Sequence, residues 1–170
     1  MSRAFVKEDN DLPERPAAPR LPPPLPAGVR NLLTAEGERR LRSELARLVE
    51  VERPRWVAAG DTPDDKRALR EADARIAHIQ QCLHGAEIVR APEKPWLQVK
   101  LGATVTVRER NDEQAQYRIV GFHEADLEPH WISFRSPLAR ALMEATVGER
   151  VRFKIPAGEE ELEVLAIDYG

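Results

Sequence analysis

Three carboxylates cluster in the short run Gly60-Asp61-Thr62-Pro63-Asp64-Asp65, between two segments whose apolar residues recur at helical spacing. Carboxylate oxygens are hard ligands suited to Mg²⁺, and a pair at the end of a projecting element can help hold such an ion inside another protein's active site. The same run also reads as a helix start. Thr62 is a cap type, proline suits the first helical position, and Asp64 and Asp65 stand near the positive end of the helix dipole. Asp61 is left with a turn role only. A second set of chemically able side chains, His78, Cys82 and His84, has its first two members four apart on one helix. That spacing falls short of a zinc signature, so satisfied or solvated side chains are expected, with no metal of the protein's own.

The elements that must position these groups follow from periodicity. Thr34 is a candidate N-cap, Glu36 and Glu38 fall in the first turn, and Leu41, Leu45 and Leu48 share a face. Pro54 removes a hydrogen bond and predicts a kink or pause before Trp56 to Ala59, and Gly60 ends the helix. Leu69, Ala72, Ile76, Ile79 and Leu83 form the apolar seam of a second helix, which Gly85 stops. Joined by a short turn, the two make an antiparallel hairpin with arms of roughly 20 to 25 residues, spanning ~30 to 38 Å. Trp56 is expected to pack across it. The arginines at 39, 40, 42, 47, 53, 55, 67, 70 and 75 have acids to match them, as on a solvated coiled-coil face.

Beyond Pro92 to Pro95 the period changes to two. Strands are predicted over Val99 to Arg108, Gln116 to Phe122, Trp131 to Phe134, Arg150 to Ile155 and Glu161 to Ile167. Ser136-Pro137 opens a short helix through Leu138 to Met143. The fold class is α+β: an N-terminal antiparallel coiled-coil helical hairpin followed by an antiparallel sheet domain with one short helix. The expected division is a Pro-rich disordered leader at 1–32, the hairpin with its acidic tip at 33–90, a linker at 91–96 and the sheet domain at 97–170. The leader holds seven of the fourteen prolines and too few apolar residues to offset its ordering entropy; Leu21 to Pro26 favours polyproline II.

Composition narrows the function. A net charge of −3 argues against a broad phosphate-binding surface, so any nucleic-acid role is expected to be indirect. A single cysteine excludes an internal disulfide, and no run has the apolar length of a membrane span or a signal peptide. The expected location is the cytoplasm.

Leu101-Gly102-Ala103-Thr104-Val105, Tyr117-Arg118-Ile119-Val120-Gly121, Glu124-Ala125-Asp126, Ser136-Pro137-Leu138-Ala139-Arg140-Ala141-Leu142, Val147-Gly148-Glu149 and Ile167-Asp168-Tyr169 occur in an order and spacing that resemble the Gre family of bacterial transcript-cleavage factors, GreA and GreB. Leu33-Thr34-Ala35-Glu36-Gly37, Arg53-Pro54 and Lys66 to Asp73 extend the likeness to the hairpin, so it runs from Leu33 to Tyr169. The resemblance implies an FKBP-like second domain that grips the rim of the RNA polymerase secondary channel. It also implies a hairpin that reaches toward the active site, where two tip acids help bind a second Mg²⁺ for cleavage of backtracked RNA. Asp61 matches the first acid and Asp64 the second, with aspartate in place of glutamate. Asp65 stands where the pattern has asparagine and is a third candidate, and the pattern's tyrosine is absent. Each arm reads roughly two turns shorter than in the cleavage factors, withdrawing the tip by ~10 Å; in this the chain also resembles Rnk, the regulator of nucleoside diphosphate kinase. Phe134, Arg135, Ser136 and Pro137 correspond to the family's docking edge, with Arg135 replacing an acidic or amide residue.

The resemblance thus implies a monomeric factor with no cofactor beyond a shared Mg²⁺, whose partners are bacterial RNA polymerase and, indirectly, nascent RNA, and which has no turnover of its own. The alternative is a channel-occupying competitor that does not promote cleavage. A prolyl isomerase, suggested by fold analogy alone, is disfavoured by an aromatic content of only 5%, too low for an aromatic-lined proline pocket.

Overall fold

A computed structural model describes residues 24–169, so most of the expected proline-rich leader, positions 1–23, lies outside the described residues. The described chain is a mixed helix and sheet structure. It opens with a short strand, β1 (Leu32–Thr34), that leads directly into α1 (Ala35–Arg47). The Thr34 hydroxyl accepts the Gly37 N–H at 3.0 Å, satisfying one of the orphan donors at the helix start.

Pro54 interrupts the helix more gently than expected. α1 runs through a π-helical turn, Leu48–Glu52, into α2 (Arg53–Ala59). Proline offers no N–H to the ladder and its ring crowds the preceding turn. The Arg53 N–H reaches back to the Leu48 carbonyl, so the helix widens and does not break. Gly60, at φ +126°, ends it in a conformation that L side chains rarely adopt. Thr62 then caps α3 (Pro63–Leu83), accepting the Asp65 N–H at 3.2 Å.

The two arms run antiparallel, as their cross-links prove. Asn31 Nδ2 donates to the Cys82 carbonyl at 2.9 Å, Arg75 Nε to Glu44 at 2.7 Å, and Arg53 Nε to Asp73 at 2.7 Å. Along this series one partner's number rises as the other's falls. Leu33, Leu41, Leu48, Ile79 and Cys82 are buried between the arms and their base.

The base holds an element absent from the sequence reading. After α3, Gly85 at φ +64° turns the chain back, and β2 (Glu87–Val89) pairs in parallel with β1, Leu33 opposite Ile88.

The second part is a five-stranded sheet in the order β5-β4-β3-β7-β6, built from β3 (Thr104–Arg108), β4 (Gln114–Val120), β5 (Trp131–Ser133), β6 (Arg150–Ile155) and β7 (Gly158–Asp168). It is mixed, correcting the expectation of an antiparallel sheet. The 121–130 segment is long enough to carry the chain back, so β5 starts beside Arg118 and runs parallel to β4. The first strand also begins later than predicted. Val99 is instead tied to the 144–145 turn, donating to the Ala145 carbonyl at 2.9 Å and accepting from the Glu144 N–H at 2.8 Å. α4 (Pro137–Leu142), capped by the Ser136 hydroxyl, lays Ala139 and Leu142 over a core of Val105, Val107, Ile119 and Val164.

Candidate functional site

At the far end of the arms the three aspartates differ in how far the fold commits them. Asp65 belongs to the cap: the Thr62 hydroxyl donates to its Oδ2 at 2.5 Å while its own N–H donates back to Thr62. Asp61, in the turn between the helices, has a carboxylate that is 94% exposed, with Lys66 Nζ 3.3 Å away. Asp64 is exposed and has no polar partner among the described residues. The tip therefore presents two carboxylates with open coordination and one consumed by structure. Hard oxygen donors fit a Mg²⁺ held mainly elsewhere, although Lys66 competes for Asp61.

The second expected site lies on the sheet part. Phe134 is half-buried and packs against the core, and its N–H donates to the Val120 carbonyl at 2.9 Å. The Ser136 hydroxyl accepts the Ala139 N–H at 3.1 Å. Arg135 and Pro137 are exposed and are the members of this set free to meet a partner. The tip acids and this edge are not brought together, and they lie on different elements.

The arms are laced by ion pairs, including Arg42–Glu38 at 2.8 Å and Arg75–Glu44 at 2.7 Å. Arg39 and Arg70 find no acid among the described residues, and Arg55 lies instead over the Trp56 ring at 5.1 Å. Trp56 is half-buried and lines a cleft of about 790 Å³ together with Glu44, Leu48, Arg75, His123 and Leu127.

Two clusters join the arms to the sheet part; the sequence indicated no role for the first and showed only two of the three members of the second. Glu124 is fully buried and accepts three hydrogen bonds, from the Thr34 N–H at 2.9 Å, the Thr34 hydroxyl at 2.5 Å and the Gly121 N–H at 2.7 Å. Burial pushes its carboxyl above the usual range, and the three donors hold it partly back. Beside it Arg118 donates to Glu36 at 2.5 Å, and the guanidiniums of Arg40 and Arg118 lie over Trp131 at 4.8 and 5.0 Å. Burial raises the Glu36 pKa, but the hydrogen bonds from Arg40 and Arg118 outweigh that and leave it lowered.

In the second cluster His84 is replaced by a residue from the sheet part. His78, Cys82 and His123 bring one donor atom each to within 4.8 Å of one another, whereas His84 is exposed. Only the i, i+4 pair was visible in the sequence, because His123 arrives through a tertiary contact. Burial lowers the pKa of both histidines and raises that of the Cys82 thiol to about 11.

Comparison with known proteins supports the sequence resemblance. The family model described as "Transcription elongation factor, GreA/GreB, C-term" matches residues 94–169. GreB of Pseudomonas aeruginosa is 38% identical over 160 residues, covering 86% of this chain and 95% of its own. GreA of Caulobacter sp. strain K31 is 36% identical over 151 residues, covering 81% and 96%. Among solved structures, GreA factor homolog 1 (Gfh1) of Thermus thermophilus is 26% identical and covers 82% of this chain and 99% of that one, but superposes only loosely, at a TM-score of 0.38. The sequence likeness extends through the arms as well as the sheet, over nearly the whole length of these relatives, and on that ground the chain belongs to the GreA/GreB family of transcription elongation factors.

Proposed function

We propose that this protein binds bacterial RNA polymerase in the cytoplasm as a monomer. Its sheet part, read as an FKBP-like domain, docks at the secondary-channel rim through the edge at Phe134 to Pro137. Its arms, read as a coiled-coil hairpin, enter the channel. The observation that carries this reading is the pair Asp61 and Asp64, exposed at the end of two antiparallel helices. A narrow rod delivers carboxylates where a domain cannot go. α3 has 21 residues and is about 32 Å long at 1.5 Å per residue.

Asp61 and Asp64 are the residues that would contribute oxygens to a Mg²⁺ shared with the polymerase. Such an ion, when bound, activates water and stabilises the charge that develops in phosphodiester hydrolysis. This chain's residues supply position and charge. Thr62 and Asp65 fix the first turn of α3, and through it the place of Asp64. The protein has no turnover of its own, and its contact with nascent RNA is indirect.

A second reading is favoured by the Lys66–Asp61 pair and by the arm length. A lysine beside one of two ligands weakens cation capture, and a short rod can fill a channel without reaching the metal. The protein is then a channel-occupying regulator that competes with cleavage factors.

Cleavage of the 3′ RNA in backtracked complexes of the host polymerase separates the readings, provided binding is measured in the same sample. Acceleration that disappears in D61N/D64N supports direct assistance. Binding without acceleration supports the competitor, and absence of binding by the folded protein overturns both.

A further inference from the structure

We propose that His78, Cys82 and His123 form a binding site for a zinc-like divalent transition-metal ion at the junction of α3 with the 121–130 segment. Residues four apart on a helix present their side chains one above the other. Here they place the Cys82 sulfur 3.4 Å from His78 Nε2. Tetrahedral zinc, with bonds of about 2.0 to 2.3 Å, sets nitrogen and sulfur donors roughly 3.3 to 3.6 Å apart. The helical pair already has that separation. All three donors lie within 4.8 Å, so His123 has to close by at most about 1.5 Å to complete a face of the tetrahedron.

Other observations point to a ligand. His123 is 9% exposed, and its Nδ1 is buried without a hydrogen-bond partner among the described residues, a condition rare for a buried polar atom. One sulfur and two imidazole nitrogens form a borderline-soft donor set that prefers Zn²⁺ or Co²⁺ to Mg²⁺ or Ca²⁺. Burial lowers the proton affinity of both imidazoles, which favours the neutral rings that ligation requires. The raised thiol keeps its proton until a metal displaces it: the S–H bond breaks, a sulfur–metal bond forms, and one proton leaves to solvent. Arg75 is the nearby cation that opposes a positive ion, and its double hydrogen bond to Glu44, at 2.7 and 2.8 Å, offsets that charge. His123 also lines the cleft beside Trp56, the side from which a fourth ligand from solvent would enter.

Two ligands come from the arm and the third from the sheet part, so a bound ion would cross-link them. This role is independent of the tip carboxylates.

The test uses the full-length protein, stripped with a chelator and titrated with Co²⁺ as a spectroscopic stand-in for Zn²⁺. One equivalent should bind, with a thiolate-to-cobalt charge-transfer band that Zn²⁺ abolishes, and with release of one proton. Saturating Zn²⁺ should raise Tm by roughly several degrees. C82S should lose the band, H123Q should bind at least about tenfold more weakly, and H84Q, at an exposed position, should behave as wild type. The proposal is overturned if the folded wild type gives no charge-transfer band, if folded H123Q binds as wild type does, or if H84Q loses as much as H123Q. Should C82S fail to fold, H123Q decides.

Discussion

Glu124 shows how one side chain can fix the relation between two parts of a molecule. Its carboxylate fills the acceptor role for both polar groups of Thr34, so the residue that caps α1 is itself held by the sheet part. The site has no spare room. A methyl group on Gly37 would stand 1.7 Å from Glu124 Oε1, and one on Gly121 would stand 1.9 Å from the Leu32 carbonyl oxygen. Glu124→Ala strands three buried donors and is expected to cost about 3 kcal/mol or more. Glu124→Gln keeps one acceptor oxygen and should cost less. Urea denaturation of both variants checks this, and an alanine variant within about 1 kcal/mol of wild type would refute it. Gly37→Ala should lose about 2 kcal/mol or more by overpacking. Glu124 also makes a pH prediction. Burial, the largest cause, leaves the folded-state carboxyl pKa raised, so the native state binds the proton more tightly than the unfolded chain. That contribution is fully present below about pH 4.5 and is lost as pH rises through the folded value. The stability of wild type relative to the non-titrating Glu124→Gln should therefore fall over the window above pH 4.5. A flat difference would mean that the three donors cancel the effect of burial.

The helices show which features a sequence can carry by itself. Thr34, Thr62 and Ser136 all cap as their residue types foretold, since a cap is a local bond between a side chain and an amide three residues on. The apolar seam of α3 is likewise local, and Ala72 and Ile79 are buried where the spacing placed them. Features that depend on distant partners were hidden. The β1–β2 ribbon pairs residues 32 and 87, β5 runs parallel to β4 because of the path of 121–130, and the π-helical turn is one of several ways a helix can meet Pro54. The candidate tip was legible for the same reason as the caps, and the His123 contribution to the histidine–cysteine cluster was not. Caps of one type should nevertheless differ in worth. Thr62 is exposed, and Thr62→Ala should cost about 1 kcal/mol and speed amide exchange in the first turn of α3. Thr34 is buried and also donates to Glu124, so Thr34→Ala should cost clearly more. Equal losses would show that Glu124 adds nothing to the cap.

At the scale of the molecule, the question is whether the arms stand by themselves. Their shared core is thin. Leu33, Leu41, Leu48, Ile79 and Cys82 are its buried members, and the side chains packed on it include Leu127 from the sheet part and Ile88 from the ribbon. The outer surface is held by exposed ion pairs, each contributing little in water. The most buried polar ties, Glu124 to Thr34 and Arg118 to Glu36, both leave the arms for the sheet part. A helix of about 20 residues draws most of its stability from packing, and here much of that packing is supplied from outside. A fragment spanning residues 30–90 should therefore show a broad melt and well under the helicity expected for α1, α2 and α3, whereas the full chain unfolds its arms and sheet in one transition. Circular dichroism of the two proteins decides it. A fragment with full helicity and a sharp melt would make the arms an autonomous unit and reduce the Glu124 tie to a matter of orientation. The expected outcome instead makes the sheet part the foundation of the rod, so that weakening Glu124 loosens a tip that lies at the far end of 21 helical residues.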